Sequence, residues 1–356
     1  MKIVFLGLSI TSSWGNGHAT NYRALVSALV ARGHDVLFLE RDVSWYAQQR
    51  DLPKPPWGRT ELYGSLTELR ERFAADVAAA DLAVVGSYVP DGVAVAEWVV
   101  ETAGGPAAFW DIDTPITVAK LEAGDEEYVS RRLVPRFDLY LSFTGGPLLS
   151  RLEGEFGARR ARAFYCMADP NVYRPLEADE RWLLGYLGTY SDDRQPAVDS
   201  LLVEPARLLP RGRFVVAGPQ YPAELSWPPG VERIEHVPPD SHPAFYAQQR
   251  FTLNVTRRAM VEAGWSPSVR LFEAAACGTP VISDRWDGLD QFFRPGAEII
   301  VADSPRDVVD ALVALTPEEA REIGAAARAR VLAEHTPERR AIELEAHVQE
   351  LAPVAA

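Results

Sequence analysis

The sequence predicts two successive α/β halves, each a doubly wound parallel sheet, with the carboxyl ends of both sheets facing one central cleft. Three observations lead there. Short apolar runs, of the kind found in strands buried on both faces, alternate with helix-length segments along the chain. The alternation breaks at the proline-bearing segment 169–175 (DPNVYRP) and then begins again. A length of 356 residues at 47% hydrophobic composition suits two cores of this type. Such sheets bind ligands at the carboxyl ends of their strands, so the loops there are the place to look for chemistry.

The first run, 2–8, is followed by a polar glycine loop, a helix over 19–32, a break at Gly33 and a second strand over 36–40, which completes a βαβ unit. A helix over 66–80, a strand over 82–85, a helix over 92–102 and a strand over 106–110 continue the series. A strand over 137–143, a helix after Gly146 and a strand near 163–166 close the first half. The stretch 51–58 (DLPKPPWG) reads as a stiff connecting loop. The second half has strand-type runs at 183–187, 213–217, 231–235, 251–255, 281–283 and 298–301. TPEE at 316–319 is a capping box with proline at the first helical position, which predicts a helix over 317–333. The expected domains are 1–170, 171–335 and a terminal helix over 336–356 able to pack back on the first domain.

A formal net charge of −14 argues against extended contact with nucleic acid or an anionic membrane, although a small anion can bind where helix N-termini and a few arginines gather. Cys166 and Cys277 have neither a paired nor a metal-like spacing, and no apolar run is long enough to span a bilayer. A reducing cytoplasm is the expected location.

The most informative stretch is 266–283, SPSVRLFEAAACGTPVIS. Ser266 is placed to cap a helix, Pro267 suits its first position, and Gly278 supplies the left-handed residue that ends it. Arg270 and Glu273, three residues apart, share a face. Ser266, Ser268 and Arg270 at the positive end of the helix suit a diphosphate, and Glu273 suits sugar hydroxyls. A plain surface helix with an i,i+3 ion pair fits the same letters about equally well.

RLFEAAACGTPVIS at 270–283 resembles the donor-binding helix of GT-B glycosyltransferases, most closely their CgeB-like (spore maturation protein) branch. SWGNGH at 13–18 resembles the N-terminal glycine loop of that family, DPNVYRP its interdomain segment, and GYLGTYS at 185–191 the first strand and loop of its donor domain. The resemblance implies a GT-B fold and transfer of a sugar from a nucleotide-diphosphate donor, UDP or dTDP type, to a small-molecule or glycan acceptor. No cofactor, no metal, no nucleic acid and no integral membrane contact are expected. It also implies that Glu273 holds the ribose, that Arg270, Arg194 and the Gly188-Thr189 backbone hold the diphosphate, and that the base lies against His236-Val237. Gly15, Asn16 and Gly17 would let the donor approach the backbone.

His18, at the mouth of the first helix, is a candidate base. Asp111 and Asp113 follow a strand, and one or both are expected to touch sugar or acceptor; for Asp113 a helix-capping role fits as well. Many retaining members carry E-x7-E, whose first position here is Trp265, leaving retention or inversion open. An epimerase or hydrolase of the same fold, acting on donor alone, and a noncatalytic coat-type protein are the competing readings. The loop after the first strand lacks the G-x-G-x-x-G order of dinucleotide oxidoreductases.

Overall fold

The computed structural model describes residues 1–14 and 16–351. The chain forms two compact units: Met1–Cys166 together with the final helix Pro337–Gln349, and Met167–Thr336.

In the first unit, β1 (Lys2–Gly7), β2 (Asp35–Arg41), β3 (Arg59–Tyr63), β4 (Leu82–Gly86), β5 (Ala107–Asp111), β6 (Leu139–Ser142) and β7 (Ala161–Ala163) form a parallel sheet ordered β3-β2-β1-β4-β5-β6-β7. β4 and β5 are buried at every residue, as their unbroken apolar runs require. Strand order reverses between β1 and β4, so the loops after these strands flank the switch point where such sheets bind ligands. Tyr22, from the helix His18–Ala31, anchors that helix over the switch. A Cβ on Gly86 would overlap its hydroxyl, and one on Gly7 would come within 2.9 Å of its ring. The helix Pro337–Gln349 packs on His18–Ala31, where Glu345 accepts two hydrogen bonds from Arg32 and lies 2.7 Å from His34 Nε2.

In the second unit, β8 (Trp182–Leu187), β9 (Phe214–Ala217), β10 (Val231–Ile234), β11 (Gln249–Asn254), β12 (Val281–Ser283) and β13 (Ile300–Val301) form a parallel sheet ordered β10-β9-β8-β11-β12-β13, with its reversal between β8 and β11. The helix Pro317–Glu334 starts with the predicted capping box between Thr316 and Glu319. A Cβ on its Gly324 would overlap the Gly278 carbonyl, so this helix lies directly on the turn that ends Val269–Ala276.

Three local features differ from the sequence reading. β3, RTELY, is an edge strand with only Tyr63 buried, and lacks the apolar run that marked the others. The run predicted at 163–166 pairs as β7 two residues earlier, where Ala161–Ala163 meets Tyr140–Ser142. The donor-type helix begins at Val269, with Ser268 as its cap and not Ser266. The chain stays extended through Ser268, whose hydroxyl accepts from the Arg270 N–H at 3.2 Å, so Pro267 lies before the helix.

Candidate active site

The loop after β1 is held by a buried carboxylate. Glu40, at the end of β2, accepts from the Ile10 and Thr11 N–H groups and the Ser9 and Thr11 hydroxyls at 2.6 to 3.0 Å. Four donors satisfy a charge that would otherwise be costly to bury. Arg23 reaches Asp51 with two hydrogen bonds, and Asp51 also accepts from the Ser13 N–H and hydroxyl. Burial pushes the Asp51 carboxyl up, but these four donors outweigh it and hold it low.

Within this frame lie the glycine-loop residues. Gly15 lies outside the described residues. Asn16 is buried: its amide donates to the Ser9 and Ser12 carbonyls and its oxygen accepts from the His18 N–H at 3.0 Å, so the side chain is spent on shaping the loop. Gly17 has an ordinary helical φ of −65° and open space where a Cβ would stand, so neither strain nor crowding demands glycine there.

His18 begins the helix. Its Nδ1 is buried without a hydrogen-bond partner. Burial lowers its pKa while the charge of Asp113 raises it, leaving a neutral imidazole able to take a proton at neutral pH. The ring stands edge-on to Tyr88, 5.3 Å between centroids, and Tyr88 donates to Asp113 Oδ2 at 3.1 Å. Tyr88 has φ 63°, a left-handed conformation uncommon for a bulky residue, directly after β4 at the switch point. His18, Tyr88 and Asp113 thus form one cluster; Tyr88 carries no motif that would mark it in sequence.

The two aspartates separate. Asp111 is fully buried and accepts from the Tyr140 hydroxyl at 2.6 Å, the Thr117 hydroxyl at 2.8 Å and the Asp113 N–H at 3.2 Å. It therefore braces the loop from beneath. Asp113 is the N-cap residue of Thr114–Glu122 by position, yet its side chain makes no capping bond and points to Tyr88 instead.

In the second unit the carboxyl-end loops gather arginines. Arg194, after β8, donates to the Thr189 carbonyl at 2.9 Å. Burial, and then the charges of Arg270 and Arg257, lower its pKa, so three guanidinium groups share one region. The Nε atoms of Arg194, Arg257 and Arg270 are buried without hydrogen-bond partners, and the one acidic neighbour recorded, Asp193, lies 3.6 Å from Arg257. Arg257 follows β11 at this sheet's own switch point, a placement that could have singled it out. Gly188 fits under close contacts, with its N–H on Ala217 and its carbonyl accepting from Tyr221 at 3.2 Å.

Glu273 is buried and does not pair with Arg270. Its Oε2 accepts from Tyr246 at 3.5 Å and lies 3.8 Å from His242 Nδ1. Burial, with a smaller push from Arg270, lowers the pKa of His242, and its Nε2–H donates to the Val237 carbonyl at 3.1 Å. His242 thus ties the 236–238 loop to the residue expected to hold a ribose, a link that spacing alone did not reveal. His236 is exposed, Val237 is half-buried and Ser266 is buried. Trp265 adopts φ 44° between Gly264 and Ser266, and its indole lies against Gly288 so closely that a Cβ there would overlap it.

Among the described residues no group of three or more His, Cys, Asp or Glu side chains is placed to hold a metal, and no helix is long and apolar enough to cross a membrane.

Residues 194–346 match the family model described as glycosyl transferase-like. No curated protein matches the chain in sequence. Among solved structures, sucrose-phosphate synthase from Thermosynechococcus elongatus is similar at 15% identity and TM-score 0.71, over 99% of both chains. HepE from Anabaena in complex with UDP-glucose is similar at 14% identity and TM-score 0.70, over 98% of this chain and 100% of its own. AviGT4, a glycosyltransferase involved in avilamycin A biosynthesis, is similar at 17% identity and TM-score 0.63, over 99% of both. The fold is GT-B, and the matched domain makes the chain an enzyme of the glycosyltransferase class.

Proposed function

We propose that this glycosyltransferase takes its sugar from a nucleotide diphosphate, of UDP or dTDP type, and passes it to a hydroxyl of a small-molecule or glycan acceptor. The observation that carries the reading is the arginine cluster Arg194, Arg257 and Arg270 beside the N-terminus of Val269–Ala276, three cations in one region whose Nε atoms form no hydrogen bond among the described residues, with Asp193 3.6 Å from Arg257. A guanidinium presents two N–H groups to a phosphate and keeps its charge when half-buried. Together with the helix dipole these cations would offset the charge that develops on the leaving diphosphate, which supports a transfer without a metal ion. Glu273, Ser266, Ser268, Gly188, Thr189 and the Val237 backbone complete the donor site in this reading. The UDP-glucose bound to HepE supports the choice of donor class. The motif at 270–283 supports placement in the CgeB-like branch.

His18 serves as the base for the acceptor hydroxyl, with Asp113 stabilising the imidazolium that forms and Tyr88 holding Asp113 in place. Titration calorimetry with UDP and dTDP, on the wild type and on folded Arg270→Ala and Arg257→Ala, tests the donor site. Loss of a charge-assisted contact of about 1.5 to 3 kcal/mol predicts roughly 10- to 150-fold weaker binding. Unchanged affinity in both variants refutes the assignment. Donor consumed to completion without acceptor would point instead to a hydrolase or epimerase.

A further inference from the structure

A second concentration of arginines lies at the other end of the donor-type sheet. A cavity of about 640 Å³ opens at the amino ends of β9, β8 and β11, away from the carboxyl-end loops that bear Arg194 and Arg257. Arg213 and Arg181 each stand one residue before a strand, and Arg250 is the second residue of the next. Because these strands are neighbours, roughly 4.8 Å apart, the three backbones are set side by side along one edge of the cavity. Arg211 joins them from the preceding turn.

The charges there are unequal. Glu180 is the one carboxylate in the wall, and it accepts from Arg250 at 2.8 Å; Arg181 pairs with Glu232 at 2.6 Å and lies over the Trp182 ring. Arg211 and Arg213 form no ion pair or side-chain hydrogen bond among the described residues. In a chain of net charge −14 such a local excess of cations is unexpected from composition. Part of the lining is apolar. Leu208 and Val313, 57% and 68% exposed, are the most exposed large hydrophobic side chains described, and both line this cavity together with Leu209 and Pro210.

From this juxtaposition we infer a further binding site, for a small anion carrying an apolar body, such as a carboxylate, sulfonate or phosphate monoester on a hydrocarbon or aromatic group. Arg211 and Arg213 take the anionic head, and Leu208 and Val313 cover the body. The volume is that of a small-molecule pocket. The apolar part of the lining and the acidic chain around it disfavour a polyanion.

The probe is anilinonaphthalene sulfonate, an aromatic sulfonate whose fluorescence rises on apolar contact, compared with neutral N-phenylnaphthylamine. Saturable binding of the sulfonate is expected, at least tenfold tighter than the neutral amine. It should weaken at least tenfold in Arg211→Glu/Arg213→Glu and severalfold in the milder Arg211→Gln/Arg213→Gln, while Arg270→Ala binds as the wild type does. Circular dichroism and thermal midpoints verify that each variant is folded. Equal affinity for the two probes, or sulfonate affinity unchanged in the glutamine variant, overturns the inference. Loss of binding in Arg270→Ala alone would relocate the probe to the donor site and overturn it as well.

Discussion

Asp111→Asn tests whether the buried brace under the loop after β5 is a titrating group. Burial lifts the Asp111 carboxyl from its ordinary 3.8 to about 6, against the hydrogen bonds from Tyr140 and Thr117 that favour the charged form. The folded protein therefore holds this proton more tightly than the unfolded chain does. The stability it contributes is full below pH 3.8 and is lost as pH rises through about 6. The full effect is about 3 kcal/mol at 1.36 kcal/mol per pH unit; about 1 kcal/mol of it remains at pH 5 and almost none at pH 8.

Asparagine does not titrate, and its NH2 cannot accept from a hydroxyl. One of the two donors, Tyr140 or Thr117, must turn away, at roughly 1 to 3 kcal/mol. The variant should thus be clearly less stable than the wild type at pH 5, and the gap should close by about 1 kcal/mol at pH 8. Urea unfolding of both proteins at the two pH values measures it. A constant gap would refute the reasoning, because it would mean that the carboxyl does not change its protonation across this range.

Three further outcomes are expected. Tyr88→Phe removes the hydroxyl that donates to Asp113 and should lower turnover severalfold with little change in KM for the donor or in thermal midpoint; full activity would end the positioning role of Tyr88. Gly288→Ala sets a Cβ into the Trp265 indole on a residue whose φ is 84°, and should cost about 1 to 3 kcal/mol or displace the ring, read as a shift in tryptophan emission and a lower midpoint. The Glu345 carboxyl is held down from 4.5 to about 2, chiefly by Arg32 and then by His34 against a burial penalty, so its stabilisation is present above pH 4.5 and lost as pH falls toward 2. Glu345→Gln should therefore lower the midpoint at pH 7 and flatten the acid side of its pH profile, as differential scanning fluorimetry would record.

What sequence makes legible here follows from what each feature depends on. β4, β5 and β8 are apolar runs because both faces are buried, and the helix Pro317–Glu334 carries its own capping box, so both can be read locally. β3 takes its place from pairing with β2 and has little apolar patterning of its own. Arg270 and Glu273 stand in a segment with a family pattern, and Arg194 follows another three residues on. Tyr88 and Arg257, in loops, and His242, at the start of the short helix His242–Ala247, come to their places through strand order, since the neighbours of each are distant in sequence. Ser266 and Ser268 both look like caps on paper, and the choice between them depends on the left-handed turn at Gly264 and Trp265 that precedes them.

The first unit is assembled from both ends of the chain, and this fixes an order of completion during synthesis. Residues 167–336 leave the ribosome ahead of 337–349, so the unit that comes second in the sequence is the first able to finish folding. Until then the helix His18–Ala31 lacks the face that buries Ala341 and Leu344, and Arg32 and His34 await Glu345. A chain ending at residue 336 and held on the ribosome by a linker long enough to clear the exit tunnel would therefore have a second unit that resists protease and a first unit that does not. For the same reason, expressing 1–166 alone leaves that unit incomplete, whereas a permuted gene placing 337–349 ahead of Met1 keeps it whole.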